Sequence, residues 1–163
     1  MKRPAFAALA LSALLLNPAL AQTLPQHDAG RAMGENFAQR IDADTDGIIG
    51  EGELLSFGEG VFASIDTDGD GTVSLAEMRD WRYGMADLAE FRERTQAYET
   101  SIAVLFDMFD RNNDGSVSVA EHEHALRMSS RYADLDEDGV LSWDEYLEGF
   151  IFNIAMRNAL TER

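Results

Sequence analysis

The sequence has no cysteine, which excludes disulfides and thiolate metal sites. It is also poor in positive charge, with 13 Lys and Arg against 30 Asp and Glu and a formal net charge of −17. That balance argues against any nucleic-acid partner, which would need a basic footprint. No apolar run reaches the roughly 18 residues that would indicate a membrane span; the longest, Ala5 to Leu16, falls short. What is present is still enough to fold. At 45% hydrophobic residues the chain is too apolar for a disordered acidic tail, and 163 residues allow one modest domain or two small lobes.

The first residues, "MKRPAFAALALSALLLNPALAQ", place Lys2 and Arg3 ahead of that apolar run and finish on Ala19-Leu20-Ala21. This is the pattern of a secretory signal peptide, and cleavage is expected after Ala21. A membrane anchor is the alternative, but the run is too short to span a bilayer comfortably. A lipoprotein is excluded because there is no cysteine to acylate. The short Ala/Leu-rich style looks bacterial, so the periplasm or the medium is the expected destination. Without residues 1–21 the chain keeps 11 basic residues against 30 acidic ones, a net of −19. No transmembrane segment is expected after processing.

The acidic residues are not spread evenly. "DTDGDGTVSLAE" at 66–77 crowds Asp66, Asp68, Asp70 and Glu77 together with no Lys or Arg among them. Unit charges a few ångströms apart cost roughly 1 kcal/mol even in water. Either this is a solvated acidic loop, or a cation that is not protein belongs there. The stretch has three counterparts: "DADTDGIIGEGE" at 42–53, "DRNNDGSVSVAE" at 110–121 and "DLDEDGVLSWDE" at 134–145. All four have Asp first, Asp or Asn third, Asp fifth, Gly sixth, an aliphatic residue eighth and Glu twelfth. The starts at 42, 66, 110 and 134 describe a duplicated pair of loops.

On these residues the sequence resembles the EF-hand superfamily, whose calcium loop reads D-x-[DN]-x-[DN]-G-x5-E. More narrowly, it is similar to small secreted bacterial proteins with closely spaced EF-hands. The resemblance runs from about residue 31 to 157. It implies an all-α fold, an array of helix-loop-helix units with short β pairings between loops, and up to four calcium ions. Calcium takes 6–8 oxygen ligands, which such a loop supplies from positions one, three, five, seven (a backbone carbonyl), nine (through water) and twelve. The implied ligands of loop one are Asp42, Asp44, Asp46, Ile48 and Glu53, and those of loop two are Asp66, Asp68, Asp70, Thr72 and Glu77. Loop three offers Asp110, Asn112, Asp114, Ser116 and Glu121, and loop four offers Asp134, Asp136, Asp138, Val140 and Glu145. In loop two, Ser74 would position the water. Four ions would bring the processed charge from −19 to −11.

The loops are not equivalent. Loop three has neutral Asn112 beside Arg111, and loop one has Gly50 at position nine, where no side chain can hold a water. Loops one and three are therefore expected to bind more weakly than two and four.

Organisation follows the repeat: a signal peptide at 1–21, a flexible segment at 22–30, the first two EF-hands in 31–92 and the second two in 93–163. Before loop three, Ile102, Leu105, Phe106 and Phe109 share one helical face; Val61, Phe62 and Ile65 do so before loop two. After loop four, Tyr146, Leu147, Phe150, Ile151 and Ile154 form a stripe towards the C-terminus. Residues 78–109 are expected to form two helices broken near Gly84 or Thr95.

Only twelve residues, 54–65 and 122–133, separate the loops within each half. Twelve helical residues rise about 18 Å. One straight helix there would hold its two loops apart, so that loop two pairs with loop three and loop one with loop four. Alternatively, Gly58 and Gly60 bend the first connector and each half pairs internally; the second connector has no such glycine.

Other readings are weaker. Met33, Met78, Met85, Met108, Met128 and Met156 are either core filling or an apolar, methionine-containing surface for a protein partner. His122 and His124, two residues apart on a helix, do not converge on one ion and are expected to be solvated. Trp81 and Trp143 read as packing residues. No G-x-S-x-G or other nucleophile constellation is present, so no enzymatic activity is expected. Buffer or sensor is the first functional reading, and a constitutively calcium-stapled interaction module is the second.

Overall fold

Loops of this kind need a helix on each side, and the computed structural model, which describes residues 29–81 and 85–160, supplies them. The elements in order are α1 (Ala29–Ile41), β1 (Ile48–Ile49), α2 (Glu51–Ile65), β2 (Thr72–Ser74), α3 (Leu75–Asp80), α4 (Met85–Phe91) and α5 (Thr95–Phe109). They continue with β3 (Ser116–Ser118), α6 (Val119–Ala133), β4 (Leu141–Ser142), α7 (Trp143–Gly149) and α8 (Ile151–Leu160). The signal peptide, residues 22–28 and Gly84 lie outside the described residues. Ala29 and Gly30 already belong to α1, and Gly30 is buried.

Each connector is one helix. α2 runs unbroken through Gly58 and Gly60, and α6 runs from loop three to loop four. At 1.5 Å per residue, a 15-residue helix is about 22 Å long, which keeps its two loops apart. The strands consequently pair between halves: β1 with β4 and β2 with β3, both antiparallel. The position-eight residues meet face to face, Ile49 opposite Leu141 and Val73 opposite Val117. All four are buried.

Two apolar cores follow from this pairing. The inner one, beneath loops two and three, includes Phe62, Ile65, Met78, Met85, Ile102, Leu105 and Phe106, with Met156 and Leu160 from α8. The outer one, beneath loops one and four, includes Phe37, Ile41, Leu54, Leu126, Tyr146, Leu147 and Phe150. α2 therefore gives Leu54 to one core and Phe62 and Ile65 to the other, and it lies against α6 where Gly58 faces Leu126.

Three expectations need correcting. The stripe after loop four is not one helix: α7 ends at Gly149, Phe150 is extended, and α8 starts again at Ile151. A Cβ at Gly149 would come within 3.0 Å of the Ala133 backbone, so the chain passes against the end of α6 there and turns. His122 is not solvated. It is buried, with ring centroids 5.5 Å from Phe62 and 6.3 Å from Phe109, and burial holds its imidazole below the usual histidine range. Residues 78–109 hold not two helices but parts of three: α3 ends at Asp80, α4 begins at Met85, and the chain breaks again near Thr95, where Glu93 takes a positive φ between α4 and α5.

Candidate metal centres

All four loops share one hydrogen-bond design. The first Asp turns one oxygen to the amide of the sixth-position glycine: Asp42 to Gly47 at 3.1 Å, Asp66 to Gly71 at 3.0 Å, Asp110 to Gly115 at 2.9 Å and Asp134 to Gly139 at 3.0 Å. Those glycines sit at φ between +86° and +89°, a conformation that a Cβ disfavours. The third- and fifth-position side chains accept from amides two residues on, as Asp68 does from Asp70 and Asp70 from Thr72. The chain is thereby wound so that its carboxylates point inward.

The closing glutamate locks the loop. One oxygen accepts from the amide at position two, Ala43, Thr67, Arg111 or Leu135, at 2.8–3.1 Å. The other accepts from the amide at position nine, Gly50, Ser74, Ser118 or Ser142, at 2.9–3.0 Å. In loops two, three and four the position-nine serine also caps the next helix, its Oγ accepting from the glutamate amide at 3.2–3.3 Å. The serines thus have a helix-capping role that the reading of Ser74 as a water holder missed; S-x-x-E before an apolar run was its visible signal. Gly50 has no side chain to cap α2, so loop one lacks half of this reciprocal lock.

Electrostatics show what the loops are suited to hold. The Ser74 amide, followed by its hydroxyl and the Thr67 amide, holds Glu77 down at about 2. The Ser118 and Ser142 amides lead the groups that lower Glu121 and Glu145. Asp114 is lowered first by the Asn112 side chain, whose Nδ2 donates to it at 2.8 Å. Asp136 goes the other way. The Asp138 amide lowers it, but desolvation and the charges of Asp138, Glu145 and Asp134 together outweigh that bond and raise it. Repulsion of that kind is what a bound cation removes.

Carboxylate oxygens converge within 4.8 Å of one another in three loops: Asp42, Asp44 and Glu53; Asp66, Asp68 and Asp70; Asp134, Asp136 and Glu145. Oxygens so spaced can share one ion at the 2.3–2.6 Å calcium distance, and an all-oxygen donor set suits that hard cation. Among the described residues, loop three forms no such group, because Asn112 replaces its third-position carboxylate. Asp46, Asp110 and Asp138 lie in the same loop frames as first- or fifth-position acceptors. Of the position-seven residues, Ile48 opens β1, Thr72 opens β2, Ser116 opens β3, and Val140 immediately precedes β4.

Family models match this architecture. Residues 58–127 match an EF-hand domain pair and residues 131–151 match an EF hand. The chain carries EF-hand domains. These indicate calcium binding, and they cover loops two, three and four; loop one lies outside both matched segments. The chain is also similar to part of the mitochondrial adenyl nucleotide antiporter SLC25A24. The Danio rerio protein is 28% identical over 152 residues, covering 81% of this chain and 30% of that relative. The Mus musculus and Homo sapiens proteins are each 27% identical over 139 residues, covering 73% of this chain and 27% of theirs. The chain thus spans less than a third of the length of these curated relatives. Among the described residues no helix is long and apolar enough to cross a membrane.

Proposed function

We propose that the protein is a calcium-responsive sensor or buffer, that each of its four loops takes one ion, and that it is exported to the periplasm or the medium. The reading treats it as a binding protein, not an enzyme. One observation carries the sensor role. An apolar cavity of about 90 Å³ lies between the connectors, lined by Phe57, Gly58, Val61 and Phe62 of α2, His122 and Leu126 of α6, and aromatic residues including Phe37, Trp81, Phe109 and Phe150. Val73 and Val117, the paired position-eight residues of loops two and three, also line it. A rearrangement of those loops on filling moves its walls directly.

A sensor of this design implies a protein partner. Met78, Met85 and Met156 are buried in the inner core, so the methionines left for a partner surface are exposed Met108 and half-buried Met33 and Met128. The test follows the fluorescence of a hydrophobic dye against free calcium, in excess magnesium. Dye binding that rises with calcium supports a surface that opens. Dye binding that falls means that calcium consolidates the cores, as in a constitutively stapled interaction module, and refutes the sensor role.

A further inference from the structure

Among the first-position aspartates, Asp42 has a partner from another loop. Trp143 stands at position ten of loop four and begins α7, and its indole Nε1–H donates to Asp42 Oδ2 at 3.2 Å. The same oxygen accepts from the Gly47 amide at 3.1 Å, and Oδ1 accepts from the Asp46 amide at 3.1 Å. Asp42 is only 4% exposed. The carboxylates of Asp66, Asp110 and Asp134 accept from backbone amides of their own loops. Position ten of the other loops holds Glu51, Leu75 and Val119, and none of these has a side-chain N–H to donate. The indole reaches loop one because β1 and β4 pair, setting Ile49 opposite Leu141 two residues before Trp143.

We propose that Trp143 is a positioning residue for calcium in loop one: from loop four it fixes the rotation of the carboxylate that opens loop one, and so ties the two sites together. This rests on the calcium reading of loop one. A ligand held by an outer partner enters the site already oriented, and loss of such partners typically costs 10–100-fold in metal affinity. Loop one has the greatest use for the bond, since Gly50 leaves it without the reciprocal serine–glutamate lock that the other three possess. Occupancy of a paired loop is coupled reciprocally, so a better-ordered loop four favours a filled loop one and the converse.

Trp143→Phe keeps a ring in place and removes the donor. The amide resonances of Gly47, Gly71, Gly115 and Gly139, one in each loop, report each site separately during a calcium titration. The Gly47 midpoint is expected to rise about tenfold, the low end for loss of an outer partner because two backbone donors remain, with Gly71 and Gly115 unmoved. A Gly47 midpoint that shifts no more than those of Gly71 and Gly115 overturns the proposal. The unaltered protein supplies a second reading that does not depend on the variant folding. There the Trp143 indole proton should exchange slowly with water and follow Gly47; fast exchange, or movement with Gly139 alone, overturns the proposal. If Gly47 itself ignores calcium, the calcium reading of loop one fails and the proposal falls with it, a result distinct from a responsive Gly47 that is insensitive to Trp143→Phe.

Discussion

Gly58 and Gly60 lie two residues apart in α2, yet only at Gly60 should alanine stabilise the protein. A Cβ built at Gly58 stands 2.3 Å from Leu126 Cδ1 and 3.4 Å from His122 Cε1, whereas a Cβ at Gly60 meets nothing within 4 Å. Favourable carbon–carbon contacts lie at about 3.5–4.0 Å, so Gly58→Ala forces either α6 or the Leu126 side chain to move by more than 1 Å. Leu126 is buried in the outer core and lines the apolar cavity between the connectors, so relief comes only from turning its side chain into that space at the expense of its present contacts. Overpacking of this kind costs about 1–3 kcal/mol, against a gain of about 0.8–1.0 kcal/mol from replacing a mid-helix glycine. Gly60→Ala should therefore stabilise by the whole helical gain, while Gly58→Ala should be neutral or destabilise by up to about 2 kcal/mol. Urea unfolding followed by far-ultraviolet circular dichroism in excess calcium measures both. In a double-mutant cycle, truncating Leu126 to Ala should recover most of the Gly58→Ala loss, since it removes the clashing methyl. Equal stabilisation by the two alanines, or strict additivity with Leu126→Ala, would refute a close α2–α6 approach at Gly58.

Glu77→Gln should empty loop two and weaken loop three, its strand partner, by roughly fivefold or more, with less effect on loop one; the glycine amide titration separates these, and equal weakening of Gly47 and Gly115 would contradict the pairing. Burial holds His122 below its ordinary value of 6.5, so the unfolded chain binds the extra proton first. The contribution of neutral His122 is present above pH 6.5 and is lost as pH falls from there through the folded value. In excess calcium, unfolding between pH 7 and pH 5 should show this loss, and His122→Leu should flatten it; an unchanged slope would mean that His122 is solvated. Arg127 reaches Glu51 and Glu123 at 3.1 Å each from an exposed position. Arg127→Ala should lower the urea midpoint only slightly, as exposed ion pairs contribute little, and by less still as salt screens the pair; a large, salt-independent loss would show that it does more than pair charges.

Much of the site was legible because calcium chemistry fixes residue types at fixed spacing. The carboxylate positions, the sixth-position glycines and the aliphatic eighth position can all be read from one loop and checked against three more. Connector length carried loop pairing as well, since a straight helix of that span cannot fold its own two loops together, and Ile49 does face Leu141. What was missed depends on contacts between distant segments. His122 shares its helix face with Ala125, Leu126, Ser129 and Ala133, all buried, so its stripe was visible, but the Phe62 that covers it comes from the opposite connector. The turn between α7 and α8 interrupts a continuous apolar stripe, with Gly149 its only local mark. The Trp143–Asp42 bond spans 101 residues and appears only once the strands have paired. Ser74, Ser118 and Ser142 each open an S-x-x-E ahead of an apolar run, a capping signal that the water-positioning role given to Ser74 obscured.

The most direct test is the number of calcium ions bound per chain at saturation, measured by equilibrium dialysis in excess magnesium. Four ions are predicted, one in each of the loops beginning at Asp42, Asp66, Asp110 and Asp134. Saturation at three or fewer would contradict four functional sites, and the glycine amide that stays still would identify the loop that fails.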